Sequence, residues 1–184
     1  ALQDAITQTK NRLQSGFQSP LVLKQLQTQL DLLTQQLETL KQLIRDLIDR
    51  SPGLKHQREL LESTRGIGEI TASRLISYDL LRFKNTRALS AFAGVAPMQG
   101  LSGTSVHRKT KMSKIGDADL RRALYLPAVA ALRWNPVIKN LAGRLEARGK
   151  CKMSIIGASM HKLLCLSYGV LKSGVPFDPT YSLK

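Results

Sequence analysis

From Leu23 to Leu47 the chain places leucine or isoleucine at positions 23, 26, 30, 33, 37, 40, 44 and 47, in alternating steps of three and four. A repeat of about 3.5 residues keeps one stripe of a helix apolar, so this stretch is committed to a helix whose seam another helix must cover. Gln, Thr, Lys and Asp fill the positions between. Leu32, Leu43 and Ile48 widen the stripe enough to meet a second surface. One helix of an intramolecular bundle and one strand of an intermolecular coiled coil both fit. Either way the element joins things and does no chemistry.

Residues 2–13 predict a shorter helix ending near Ser15-Gly16, and Ser19-Pro20 starts the long one, with Ser19 as cap and Pro20 in the first helical position. Two helices with so short a break fold back as a hairpin arm. Ser51-Pro52-Gly53 then breaks the long helix. The chain therefore divides into a coiled-coil arm over 1–50 and a compact helical domain over 51–184. In that domain helices are predicted over 55–63, 69–77, 86–92, 119–133, 136–148 and 151–172. Residues 94–117, rich in Gly, Ser and Thr, alternate too weakly to define strands. Aromatic residues make up only 5% of the chain, so Leu, Ile, Val and Ala carry the apolar load, as suits helix-on-helix packing. The fold class is mostly α.

The formal net charge is +15, from 28 basic and 13 acidic residues. A chain this basic has a polyanion as its partner, because each cation set on a phosphate releases a condensed counterion. Charge does not separate DNA from RNA. Cys151 and Cys165 fit free thiols, and His56, His107 and His161 lack ligand spacing, so no zinc site is predicted. No signal peptide is evident, and no apolar run approaches the roughly 18–20 residues of a membrane span, so no membrane partner is expected. The chain opens at Ala1 directly into helix-like sequence and is expected to be the carboxy-terminal part of something longer.

Two segments can carry chemistry. Residues 60–72, centred on Arg65-Gly66-Ile67-Gly68, have the form of a helix-hairpin-helix. Gly66 and Gly68 permit a tight turn around an inward Ile67. The next helix then opens with bare backbone N–H groups suited to a phosphate. An ordinary turn between core helices would look the same. The second segment, 100–116, sets Ser102, Thr104 and Ser105 among Arg108, Lys109, Lys111 and Lys114, with Arg121 and Arg122 on the following helix. Cations that stabilise a developing alkoxide and a pentavalent phosphate turn a serine hydroxyl into a useful nucleophile. A flexible basic loop that merely grips phosphate also fits. Arg144, Arg148 and Lys152 recur at spacing four and suggest a further basic stripe. Asp117 and Asp119 flank a helix start as caps, and the remaining acids are dispersed. No metal set or Ser-His-Asp set can be named.

Taken together, Gly66-Ile67-Gly68, Arg82-Phe83, Ala91-Phe92-Ala93-Gly94-Val95-Ala96-Pro97, Ser102-Gly103-Thr104-Ser105, Met112-Ser113-Lys114-Ile115-Gly116 and Leu120-Arg121-Arg122-Ala123-Leu124-Tyr125 closely resemble the insertion-sequence-110 transposases. That family includes Piv-type DNA invertases and bridge-RNA-guided recombinases. The resemblance runs over about 55–180, through Gly149-Lys150 and Tyr168–Asp178. One departure is Arg65, where the family usually has proline.

The resemblance implies an amino-terminal RuvC-like domain, absent from this chain, that binds Mg2+ through four acids. A coiled coil and a helical transposase domain follow it. It makes Ser102 the nucleophile of a Ser-Gly-x-Ser loop, forming a phosphoserine link to a cut strand. Gly66, Gly68, Ser105, Arg108, Lys109, Lys111, Lys114, Arg121 and Arg122 become nucleic-acid contacts. It also implies a noncoding guide (bridge) RNA, assembly of protomers through the arm, and a bacterial cytoplasmic, nucleoid-associated location. This chain alone is expected to bind no cofactor and to hold nucleic acid without cutting it. A nonenzymatic helix-hairpin-helix module that dimerises through its arm fits the residues equally well, as does a truncated transposase that keeps only structural residues.

Overall fold

The computed structural model describes residues 2–16, 19–102 and 106–180, with 99–102 and 106–110 described by their backbone. The described residues are mostly α: eight α-helices and one two-stranded antiparallel sheet. Two compact units divide the chain, Ala1–Ser51 and Pro52–Lys184.

In the first unit, α1 (Leu2–Gln14) packs on α2 (Pro20–Arg50) as a helical hairpin. Leu2 shares a groove with Leu32, Gln35, Gln36, Thr39 and Leu40, so α1 runs back along the first part of its longer partner. At about 1.5 Å per residue α1 reaches ~20 Å and α2 ~46 Å. The seam divides accordingly. Leu23, Leu26, Leu30, Leu33 and Leu37 are half-buried, whereas Leu40, Ile44 and Leu47 are 46–64% exposed. Pro20 takes the first turn as its fixed φ allows, and Ser19 stands in extended conformation at the cap without a side-chain hydrogen bond.

The second unit is built around α8 (Lys152–Ser173), which packs against α3 (Pro52–Ser63), α5 (Thr86–Phe92), α6 (Ala118–Trp134) and α7 (Pro136–Ala147). Leu61, Leu75, Leu80, Leu89, Leu120, Leu124, Ile138, Leu163 and Leu164 are sealed in its core. Removing a side chain of this kind costs roughly 2–5 kcal/mol. α4 (Glu69–Ser77) leans on α3 and α6, and a single 3-10 turn, Leu80–Arg82, leads to α5. Tyr168 on α8 donates its hydroxyl to Phe83 O at 3.0 Å, fixing that turn. The guanidinium of Arg82 lies over the rings of Phe83 and Phe92, 4.8 and 5.2 Å from their centroids.

Several sequence expectations need revision. α3 begins at Pro52, so Ser51-Pro52-Gly53 separates two helices within a single residue rather than delaying the second to Lys55. Proline needs no N–H partner at a helix start, and that is why the break is so short. The helix expected over 119–133 is present as α6 and runs through Pro127, buried in mid-helix. Arg144, Arg148 and Lys152 do not share one helix: α7 ends at Ala147 and Gly149 turns the chain at φ +70° before α8. By length and composition α8 is long and apolar enough to cross a membrane, although no such run was expected. Its buried Ser159, Met160, Leu163, Leu164, Ser167 and Tyr168 serve instead as the core of this unit.

The segment without predicted strands contains a β-hairpin: β1 (Pro97–Ser102) pairs antiparallel with β2 (Val106–Met112). Pro97 faces Met112, Leu101 faces His107, and the register shifts between Met98 and Gly100. Glycine, serine and lysine carry little strand preference of their own, and the ladder depends on cross-strand partners that a local pattern does not display.

Candidate nucleic-acid interface

The hairpin is tied down at its base by backbone. Ser113 N donates to Ala96 O at 3.0 Å, Lys114 N to Gly94 O at 3.0 Å and Asp117 N to Phe92 O at 2.7 Å. These bonds lay residues 113–117 along the turn that ends α5. Gly116 takes φ +137° and Lys114 φ +56°, so the strap passes through left-handed backbone at two points. Asp117 then caps α6: its Oδ1 accepts from Leu120 N at 2.6 Å and from the Tyr78 hydroxyl at 3.0 Å. Asp119, expected as a second cap, lies instead in the first turn and faces Arg122 at 3.4 Å.

The Asp117 carboxyl is held below its ordinary range, chiefly by the Leu120 N–H, with partial burial opposing and the Tyr78 hydroxyl assisting. Burial first, and the Asp117 carboxylate second, push the Tyr78 phenol up. A depressed folded-state carboxyl contributes stability that is present above its unfolded value and is lost as pH falls through the folded one. Asp117→Asn is expected to be less stable than the parent at neutral pH. The difference should narrow as pH drops below about 4, the range of an unperturbed aspartate. Thermal unfolding across pH measures it, and a gap that stays constant would remove the charge from the explanation.

The predicted contact residues fall into distinct groups. Lys111 and Lys114 are exposed at the end of β2 and on the strap, and Arg122 is exposed on α6. Arg121 is half-buried and turns back, donating from Nη1 to Ala93 O at 3.4 Å over Gly94, where a Cβ would stand 2.6 Å from the guanidinium. That contact gives Arg121 work in the strap's own framework. Ser102 closes β1, with Val106 as its backbone partner, and Arg108 is paired with Gly100. Ser105 lies outside the described residues, and so do the side chains of Ser102, Arg108 and Lys109.

The second candidate element joins α3 to α4. Ile67 is 5% exposed and packs into the core. The two glycines do different work. Gly66 takes φ +108°, and a Cβ there would sit 2.7 Å from Ala131 Cβ and 3.0 Å from Pro127 O on α6. Gly68 caps α4 in extended conformation with open space around it and no side-chain cap bond. Gly66→Ala is therefore expected to cost about 3 kcal/mol or more, from a strained φ and a backbone collision. Gly68→Ala should cost about 1 kcal/mol or less, the ordinary difference between the two at a cap. Denaturant melts of the two variants test this, and equal losses would refute it.

The sequence reading missed Asn135, which is fully buried. Its Oδ1 accepts from Val137 N at 3.1 Å and Ile138 N at 3.3 Å, capping α7, while its Nδ2 donates to Arg65 O at 3.1 Å. The dipeptide Asn135-Pro136 was the available signal, since asparagine followed by proline marks a helix start.

Among the described residues no three His, Cys, Asp or Glu side chains gather as a metal site. What the unit presents is an exposed hairpin turn that opens a helix and a strapped β-hairpin with cations at its base, in a chain of net charge +15. Comparison with known proteins finds similarity to a transposase family and to gene-inverting proteins. Residues 58–142, from α3 through the β-hairpin into α7, match the transposase IS116/IS110/IS902 family. The chain is 37% identical over 135 residues to the pilin gene-inverting protein of Moraxella bovis, a match covering 72% of this chain and 42% of that protein. It is 28% identical over 121 residues to an uncharacterised 43.6 kDa protein of insertion element IS110 from Streptomyces coelicolor, covering 65% and 30%. The chain is thus a relative of the IS110-type transposases and of the pilin gene-inverting proteins, and it spans less than half the length of either relative.

Proposed function

We propose that this chain is the carboxy-terminal part of a DNA transposase or site-specific recombinase. The match of residues 58–142 to the transposase family carries this reading. In it, the Gly66-Ile67-Gly68 turn and the first amides of α4 hold one backbone phosphate without regard to base sequence. Lys111, Lys114 and Arg122, with Arg108 and Lys109, grip the strand that enters the β-hairpin. Ser105 adds a hydroxyl donor, and Arg121 braces the strap. Ser102 is the nucleophile: its Oγ forms a bond to phosphorus as the bond from phosphorus to the sugar oxygen breaks. The serine proton leaves to a base or solvent, and the released sugar oxygen takes one up. The phosphoserine link keeps the energy of the cut bond, so an incoming sugar hydroxyl can reverse the step and join a new strand.

The described residues offer no donor set for a divalent metal. In this proposal Mg2+ belongs to a separate RuvC-like domain, and no step here runs through it. A guide RNA as the selector of target and donor, and pairing of two copies through the open half of the α2 seam, complete the reading, which places the protein at the bacterial nucleoid.

The test is DNA binding by the chain as it stands. Tight binding at low salt is expected, with log K falling by about 0.9 per phosphate contact for each tenfold rise in salt. No strand cleavage by the chain alone is expected. Absence of binding at low salt, or an affinity indifferent to salt, would reject the proposal.

A further inference from the structure

Trp134 is the single tryptophan of the chain; it ends α6 and is 66% exposed. The indole therefore offers a large, rigid aromatic surface to solvent. Its chain neighbour Asn135 is the residue whose Nδ2 donates to Arg65 O, so the end of α6 that carries Trp134 lies beside the Gly66-Ile67-Gly68 turn. The guanidinium of Arg133 stands 6.0 Å from the indole centroid, and Arg65 is exposed on the adjoining turn.

Two kinds of occupant can be weighed. On α6, Leu126 (73% exposed) and Val129 (38% exposed) lie between Arg122 and Arg133, in a row spaced by four, three and four residues. Pairing two copies through this row, in either direction, sets arginine against arginine at both ends, with Asp119 the one acid that α6 itself contributes. Charge therefore disfavours a second copy and favours a polyanion. An aromatic face flanked by guanidinium groups is the chemistry that takes an unpaired base together with its phosphates. A base inside a duplex has no free face to offer.

We propose that Trp134 is a stacking platform for an unpaired nucleobase, in a single-stranded or locally opened segment whose backbone passes the hairpin turn between Arg65 and Arg133. This deepens the nucleic-acid reading above and rests on it.

Because there is one tryptophan, indole emission reports this site alone. The chain is titrated with single-stranded thymidine and uridine oligomers of about 15 nucleotides, which distinguish DNA from RNA, and with a blunt duplex of the same length. Strong quenching by one or both single strands and little by the duplex is expected. With labelled oligomers, Trp134→Ala should weaken single-strand binding about tenfold and Trp134→Phe only about twofold, while both bind duplex as the parent does. Equal affinity of Trp134→Ala and parent for single strands would overturn the platform and leave the nucleic-acid reading intact. If no oligomer binds, both fall. Emission that changes with protein concentration, without nucleic acid, would assign the indole to contact between copies and overturn the proposal.

Discussion

Replacing Gly116 by alanine is expected to cost about 4 kcal/mol, near the upper end of what single substitutions do. Two effects combine. At φ +137° an L side chain is strained wherever it is placed. In addition, the new Cβ would collide with Phe92 O and stand 2.8 Å from Ala91 O and 2.9 Å from Gly94 N. All three are backbone atoms of the α5 terminus, so no side chain can swing aside. The strap must lift, breaking the Asp117 N bond to Phe92 O and loosening the Asp117 cap on α6. The contrast is Gly94→Ala, at φ +65°, where the nearest atom is the flexible end of Arg121 and a single backbone oxygen, Ile115 O, follows at 2.9 Å. Its loss should be smaller by about 1 kcal/mol or more. Thermal and denaturant unfolding of both variants give the numbers. A Gly116→Ala protein within about 1 kcal/mol of the parent would mean the strap is not a structural requirement.

The second large effect concerns activity. In a full-length recombinase carrying this chain, Ser102→Ala should abolish the covalent protein–DNA adduct. Strand cleavage should fall by about 1,000-fold or more, the scale seen when a nucleophile is removed. Binding should change little, because in the proposed reading the affinity comes from phosphate contacts spread over many cations and the turn's amides. Denaturing gels of labelled DNA, with the phosphoserine peptide located by mass spectrometry, read the first quantity, and gel shift reads the second. Undiminished cleavage would remove Ser102 as nucleophile. Lost binding together with lost cleavage would make it a contact residue.

Helices were legible where a local rule was enough. The leucine repeat of α2 showed itself through a spacing that no other structure uses, and Asp117 marked its helix by capping it. The β-hairpin was not legible, because Pro97 to Ser102 becomes a strand only when Val106 to Met112 lies beside it. Arg121 and Arg122 look alike in sequence, two cations at the start of one helix. The fold separates them, turning Arg121 onto Ala93 O and leaving Arg122 in solvent. Gly66 and Gly68 likewise read as one motif, although only the first is required by packing against Ala131. In each case the deciding partner is remote in sequence.

The amide of Asn135 serves two masters at once. A fluctuation that swings the hairpin away from α6 takes the Arg65 carbonyl out of its reach, and a fluctuation that unwinds the start of α7 withdraws its oxygen from Val137 and Ile138. One buried side chain thus ties the elbow between α6 and α7 to the turn between α3 and α4, and the two are expected to open together. Exchange of the Val137 and Ile138 amides with solvent should then follow the opening of that turn, and Asn135→Ala should uncouple the two.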